Sequence, residues 1–144
     1  MRKLLTAIVA LFTLCAPVAQ GDDKKVILPK GATPNAAWSY GIKIDDTLYV
    51  SGMGGEDAAG KISASFEAEL NQALKNIEAV LKEADMKPTD IVSVQVLLTD
   101  AALFDHMNTV YKAYFKDPKP ARTTIVVPKL VGPGHVEITV VAKK

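Results

Sequence analysis

The chain has 144 residues, 49% of them hydrophobic and 23% charged, with nine Gly, eight Pro and a single Cys, the composition of one ordinary globular domain. Its 17 Lys and Arg against 16 Asp and Glu leave a net charge of +1, which excludes a scaffold that holds nucleic acid through basic excess. The lone Cys15 excludes a disulfide framework.

Arg2 and Lys3 precede an uncharged apolar run from Leu4 to Cys15, and Ala19 and Gly21 stand three residues and one residue before Asp22. This is the layout of a secretory signal peptide, with cleavage expected before Asp22. The run falls short of the roughly 20 residues that span a bilayer core. A lipoprotein signal would need a small residue before Cys15, where Leu14 stands. The expectation is a leader over 1–21 and one domain over 22–144, periplasmic or secreted, with no stable membrane anchor after cleavage. Removing 21 of the 144 residues leaves 123, without Cys and with a net charge of −1.

In chain order, Val26 to Leu28 predicts a short edge strand that Pro29 stops. Trp38 to Ile44 and Thr47 to Gly52 read as a hairpin turning at Asp45-Asp46. The segment Gly52-Met53-Gly54-Gly55 is a flexible connection; without a following Gly-Lys-Ser/Thr it is no phosphate loop. Helical spacing of Phe66, Leu70, Ala73, Leu74, Ile77, Val80, Leu81 and Ala84 predicts a helix that Ser65 caps and Pro88 follows. The nearly continuous apolar run Ile91 to Leu98 predicts a strand buried on both faces. A second helix after Asp100 carries Leu103, Met107, Val110, Tyr111 and Tyr114 on one stripe and stops by Asp117-Pro118. Arg122 to Val127 and Val136 to Ala142 read as two strands of a hairpin around the loop from Pro128 to Gly134.

The order is β-β-β-α-β-α-β-β, an α+β fold with two helices on one face of a mixed sheet. Apolar residues on the other face need cover from another chain, so an oligomer is expected. His106 and His135 stand apart from each other and from any ligand spacing, so each reads as a surface or strand-edge residue and no metal site is expected.

Pro120-Ala121-Arg122-Thr123, followed by Val136-Glu137-Ile138 in the next strand, resembles the C-terminal signature of the RidA (YjgF) family of reactive-intermediate deaminases. Tyr40-Gly41, Leu48-Tyr49-Val50-Ser51-Gly52, the helix from Asn71 to Ala84, and Met107-Asn108-Thr109-Val110-Tyr111 match in the same order, so the resemblance spans nearly all of Val26 to Val141. It implies a chorismate-mutase-like, YjgF-type fold, a homotrimer with clefts between subunits, and hydrolysis of 2-imino acids to 2-oxo acids and ammonia without metal or organic cofactor. Three positions depart from the commonest family pattern. Met53 stands where Gln usually follows Ser-Gly, Thr124 where the typical deaminase has Cys, and Pro128 interrupts the last strand but one. Met53 and Thr124 bear on substrate range more than on the chemistry.

Hydrolysing such an imine needs a carboxylate anchor, a positioned water and a path for protons. Arg122 carries the planar fork suited to a bidentate carboxylate; the residues alone leave open an ion pair with Glu137, and the resemblance favours the anchor. Glu137, charged within a strand, belongs either in a wet cleft holding a water or on a solvated face. In a simple hairpin it would lie four residues along from Arg122, roughly 13 Å, so joint action calls for two chains. Ser51 and Gly52 end a strand where a missing side chain could admit a ligand to backbone N–H groups. Neither histidine offers a serine nucleophile a base. Tyr40 and Asn108 enter by resemblance alone, as cleft wall and polar support; core packing and helix-surface solvation are their alternatives. The leading function is 2-iminobutanoate/2-iminopropanoate-type deamination, and the alternatives are a non-catalytic small-carboxylate binder or a chaperone-like trimer.

Overall fold

The computed structural model describes residues 23–144, so the expected leader lies outside the described residues. Six strands form one sheet: β1 (Lys25–Ile27), β2 (Gly41–Ile44), β3 (Thr47–Met53), β4 (Ile91–Leu98), β5 (Ala121–Val126) and β6 (Val136–Lys143). Two helices, α1 (Phe66–Glu83) and α2 (Phe104–Tyr114), cover one of its faces. The expected element order holds.

The local signals explain the boundaries. Asp45 takes φ 51°, the left-handed conformation a tight turn demands and Asp tolerates. Ser65 caps α1 through the Ala68 N–H, and Asp100 accepts from the Ala102 N–H where a 3-10 turn over Ala101–Leu103 leads into α2. Leu70, Ala73, Leu74, Ile77, Val80 and Leu81 of α1 are buried against Leu48 and Val50 of β3 and Ile138, Val140 and Ala142 of β6.

Sheet order departs from expectation at the C-terminus. The strands run β1-β2-β3-β6-β4-β5, so β5 and β6 do not form a hairpin. The last strand enters the centre, antiparallel to both β3 and β4, and β5 lies parallel to β4 at the edge. The residues from 127 to 135 therefore cross over β4 instead of turning back. Period and composition mark strands but carry no information on which neighbours pair, and that is why the hairpin reading failed.

The burial of β4 also differs. Val94, Val96 and Leu98 are buried under the helices, whereas Val92 is 48% exposed and Gln95 faces solvent. With Tyr49 at 51% and Ile125 at 41% exposure, the helix-free face carries a row of apolar side chains that nothing among the described residues covers.

Among the described residues one charged side chain lies in the core. Glu69, fully buried on α1, accepts from the backbone N–H of His135 at 2.5 Å and from that of Val136 at 3.2 Å, and its other oxygen lies 2.9 Å from Nδ1 of the His135 ring. Gly55 and Gly134 pack against Glu69 so closely that a Cβ on either would collide with it. His135 is thus the surface end of a buried brace, not an isolated residue. Glu69→Ala leaves the buried Val136 N–H and the part-buried His135 N–H without an acceptor and is expected to cost about 3 kcal/mol, a fall of about 10 °C in Tm, measurable by thermal melting.

Candidate active site

The sequence-predicted site residues fall into two groups. The first surrounds a cleft of about 730 Å³ between the 29–33 segment, the end of β3, the middle of α1 and the loop before β6. Tyr40, Gly52, Met53 and Glu137 line it. Between the pairs Val50↔Val140 and Met53↔Ile138, β3 advances three residues while β6 advances two. That extra residue is a bulge, a device that re-aims backbone and side chains beside active sites.

Gly52 sits at the bulge, and a Cβ there would overlap the Glu137 carboxylate. The absent side chain thus leaves room for Glu137, while Gly52 itself stays exposed in the cleft lining. Glu137 is half-buried, and among the described residues no hydrogen bond or ion pair engages its carboxylate. A solvated strand face does not describe it, because it is seated in a concave wall.

Ser51 stands behind this wall. Its Oγ donates to the Ser39 carbonyl at 2.7 Å and its N–H to the Tyr40 carbonyl at 3.0 Å. It fixes the segment carrying Tyr40, so its part here is positioning instead of ligand contact. The Tyr40 ring meets that of Trp38, which also lines the cleft, at 4.8 Å and a tilt of 60°; Tyr40 is a wall residue that also packs against the core. Sequence reasoning missed Asn76, whose Nδ2 holds the Gly54 and Glu56 carbonyls at 2.9 Å each and so shapes the floor. Asn76 lies among helix positions that sequence alone assigns to a polar face.

The second group lies at the other end of the sheet. Arg122 pairs with Val94 and Thr124 with Val96, both buried, so both side chains are on the helix face. The guanidinium rests 4.4 Å from the Tyr111 ring centre and 5.8 Å from that of Phe104, with Nη1 3.5 Å from the Met107 Sδ. Asn108 shares this face of α2, being four residues after Phe104 and three before Tyr111. Among the described residues Arg122 has no carboxylate partner within 4 Å. The Thr124 Oγ1 and Tyr111 hydroxyl, both buried, have no hydrogen-bond partner there either. Burial pushes the Tyr111 hydroxyl up, and the adjacent Arg122 charge only partly offsets it.

The alternative of an Arg122–Glu137 ion pair within the chain is ruled out by the register. Glu137 is opposite Leu97, three residues from Val94, and so projects from the other side of the sheet. Three residues along and two strands across put the two Cα atoms about 14 Å apart.

A one-domain α+β chain with a glycine-walled, carboxylate-bearing cleft and a separate caged arginine is what fold and site define. The family model described as endoribonuclease L-PSP matches residues 30–144. A RutC family protein of Aquifex aeolicus is 36% identical over 124 residues, covering 84% of this chain and 99% of that protein. The 2-iminobutanoate/2-iminopropanoate deaminase of Homo sapiens is 38% identical over 107 residues, covering 73% of this chain and 78% of its own length. The crystal structure of RidA from an Antarctic Psychrobacter superposes with a TM-score of 0.78 at 30% identity, covering 83% of this chain and 99% of that one. The chain belongs to the RidA (YjgF) family.

Proposed function

We propose that the protein hydrolyses 2-imino acids of the 2-iminobutanoate/2-iminopropanoate type to 2-oxo acids and ammonia, as an exported homotrimer. The observation that carries this reading is Glu137: an unpaired carboxylate seated in the cleft because residue 52 has no side chain. Relatives at 33–39% identity named for this activity support it.

The chemistry asks little of the protein. A water held by Glu137 attacks C2 of the protonated imine; the C–O bond forms as the C=N π pair moves to nitrogen, and the water's proton passes to the carboxylate. That proton then reaches the amine nitrogen; as the C–N bond breaks, the hydroxyl O–H pair becomes the C=O π bond and its proton returns to the Glu137 carboxylate, so that the 2-oxo acid and ammonia leave and the ammonia takes up the proton in solution. The substrate carboxylate needs a cation, and Arg122 is the free fork for it, with Asn108 and the unpaired Thr124 hydroxyl beside it. Because Arg122 and Glu137 are on opposite faces, the two half-sites meet only if one protomer's Arg122 faces its neighbour's Glu137. The uncovered row of Tyr49, Val92 and Ile125 gives such an assembly its apolar contact.

Phosphodiester cleavage gains no support: the cleft carries Glu56, Asp57 and Glu137 against Lys30, and carboxylates repel phosphate. To test the proposal, an amino-acid oxidase generates 2-iminopropanoate and 2-iminobutanoate while semicarbazide traps the imine. The protein from 22 to 144 should suppress trapping and release 2-oxo acid; unchanged trapping refutes hydrolysis and leaves carboxylate binding as the function. Light scattering should give three times the protomer mass. Mass spectrometry of the native protein should find a chain starting near Asp22.

A further inference from the structure

Glu56 follows the glycine segment and lines the same cleft. Its carboxylate is packed over Gly54, where a Cβ would collide with it, and lies 3.3 Å from the Cβ position of Gly132 on the loop opposite. The side chain is half-buried, yet among the described residues no hydrogen bond or ion pair engages it. The neighbouring Asp57 is different in kind, since its Oδ1 accepts from the Ala59 and Lys61 N–H groups and so closes a turn. Lys30, the cationic residue of the cleft lining, is exposed and forms no ion pair with Glu56.

Two acceptors without donors thus occupy one cleft. Glu137 lies over Gly52 and Glu56 over Gly54, positions two apart, so at most roughly 7 Å separates the two glycine Cα atoms. A second carboxylate that close to the reacting centre repels a substrate whose own carboxylate is anchored nearby. The repulsion turns into attraction if the substrate brings a positive charge at the far end of its side chain. Trp38, Tyr40, Met53 and Leu130 of the same cleft lining offer apolar surface of the kind that covers a methylene stem, and a stem of three or four carbons matches the spacing.

We infer that Glu56 is a specificity-determining residue that selects 2-imino acids carrying a cationic side chain, its carboxylate receiving the side-chain cation while the imine carbon stands at Glu137. The inference rests on the proposed imine hydrolysis and names the substrate class of that same cleft.

The test compares imines made in situ by an amino-acid oxidase from arginine and from citrulline, which has the same stem and a neutral end. An ionic hydrogen bond in a half-buried site is worth roughly tenfold in affinity, so kcat/KM for the arginine-derived imine should exceed that for the citrulline-derived imine by about tenfold. Glu56→Gln should bring that ratio to about one, with Tm unchanged because Glu56 holds nothing in the fold. Should Glu56→Gln not fold, Glu56→Asp, which shortens the reach by one carbon, should lower the ratio in the same direction. A wild-type ratio of one, or a high ratio that Glu56→Gln leaves intact, overturns the role of Glu56 while hydrolysis itself stands. Failure to hydrolyse either imine, or 2-iminopropanoate, overturns the proposed function and this inference with it.

Discussion

Glu137→Ala is expected to lower kcat for imine hydrolysis by a factor of about 10² to 10⁴, the range a positioned proton acceptor contributes, with the oligomer intact. Glu137→Gln keeps shape and hydrogen bonding but cannot take the proton of the attacking water, so it should lose nearly as much. The seat makes a third variant informative. Gly52→Ala puts a methyl group where the carboxylate now lies, and Glu137 can yield because its side chain is flexible and bound to nothing else. Activity should therefore fall with Gly52→Ala although no catalytic group has been removed, and kcat should carry the loss more than KM. The folded fraction, followed by thermal melting, distinguishes a displaced carboxylate from a disrupted bulge. Full activity in Glu137→Gln would remove the carboxylate from the chemistry and transfer the burden to the electrophilic imine itself.

How far this site could be read from sequence depends on what each residue's role rests on. Helical spacing located α1 and α2, and Asp45-Asp46 located the hairpin, because those features repeat or break at short range. Arg122 and Glu137 were legible as charged residues inside apolar strands, where a charge needs a reason. A separation of roughly 13 Å was expected too, but from a simple hairpin; it arises instead from β6 inserting between β3 and β4, a long-range pairing for which a strand's own residues hold no signal. Gly52 shows the same limit: its lack of a side chain was evident, but what fills the gap comes from 85 positions later in the chain. Glu69 was hidden because a single carboxylate on an otherwise amphipathic helix looks solvated until His135 and Val136 are folded onto it. Of the seven candidate residues, the fold places Tyr40, Ser51, Gly52 and Glu137 at the cleft and Asn108, Arg122 and Thr124 on α2 and the edge strand β5.

Arg122→Ala is expected to reduce kcat/KM by roughly 30-fold to several thousand-fold, the 2 to 5 kcal/mol that a desolvated charge-assisted pair loses when one partner is truncated. Arg122→Lys keeps the charge but neither the fork nor the flat stacking on Tyr111, so it should recover little. Because that stacking also holds β5 to α2, a structural loss must be separated from a lost anchor. Cation–π contact at a partly exposed site accounts for about 0.5 to 2 kcal/mol, so a folded, trimeric Arg122→Ala protein is the expected preparation, and its full activity would refute the anchor. Mixing gives the sharper result. If Arg122 of one protomer serves Glu137 of the next, then trimers reassembled from equal amounts of Arg122→Ala and Glu137→Ala chains contain some interfaces with both intact residues, although each parent is inactive. Random assembly makes that about a quarter of the sites, so about a quarter of wild-type activity should return. A site built within one chain would regain none, since every chain in the mixture lacks one of the two residues.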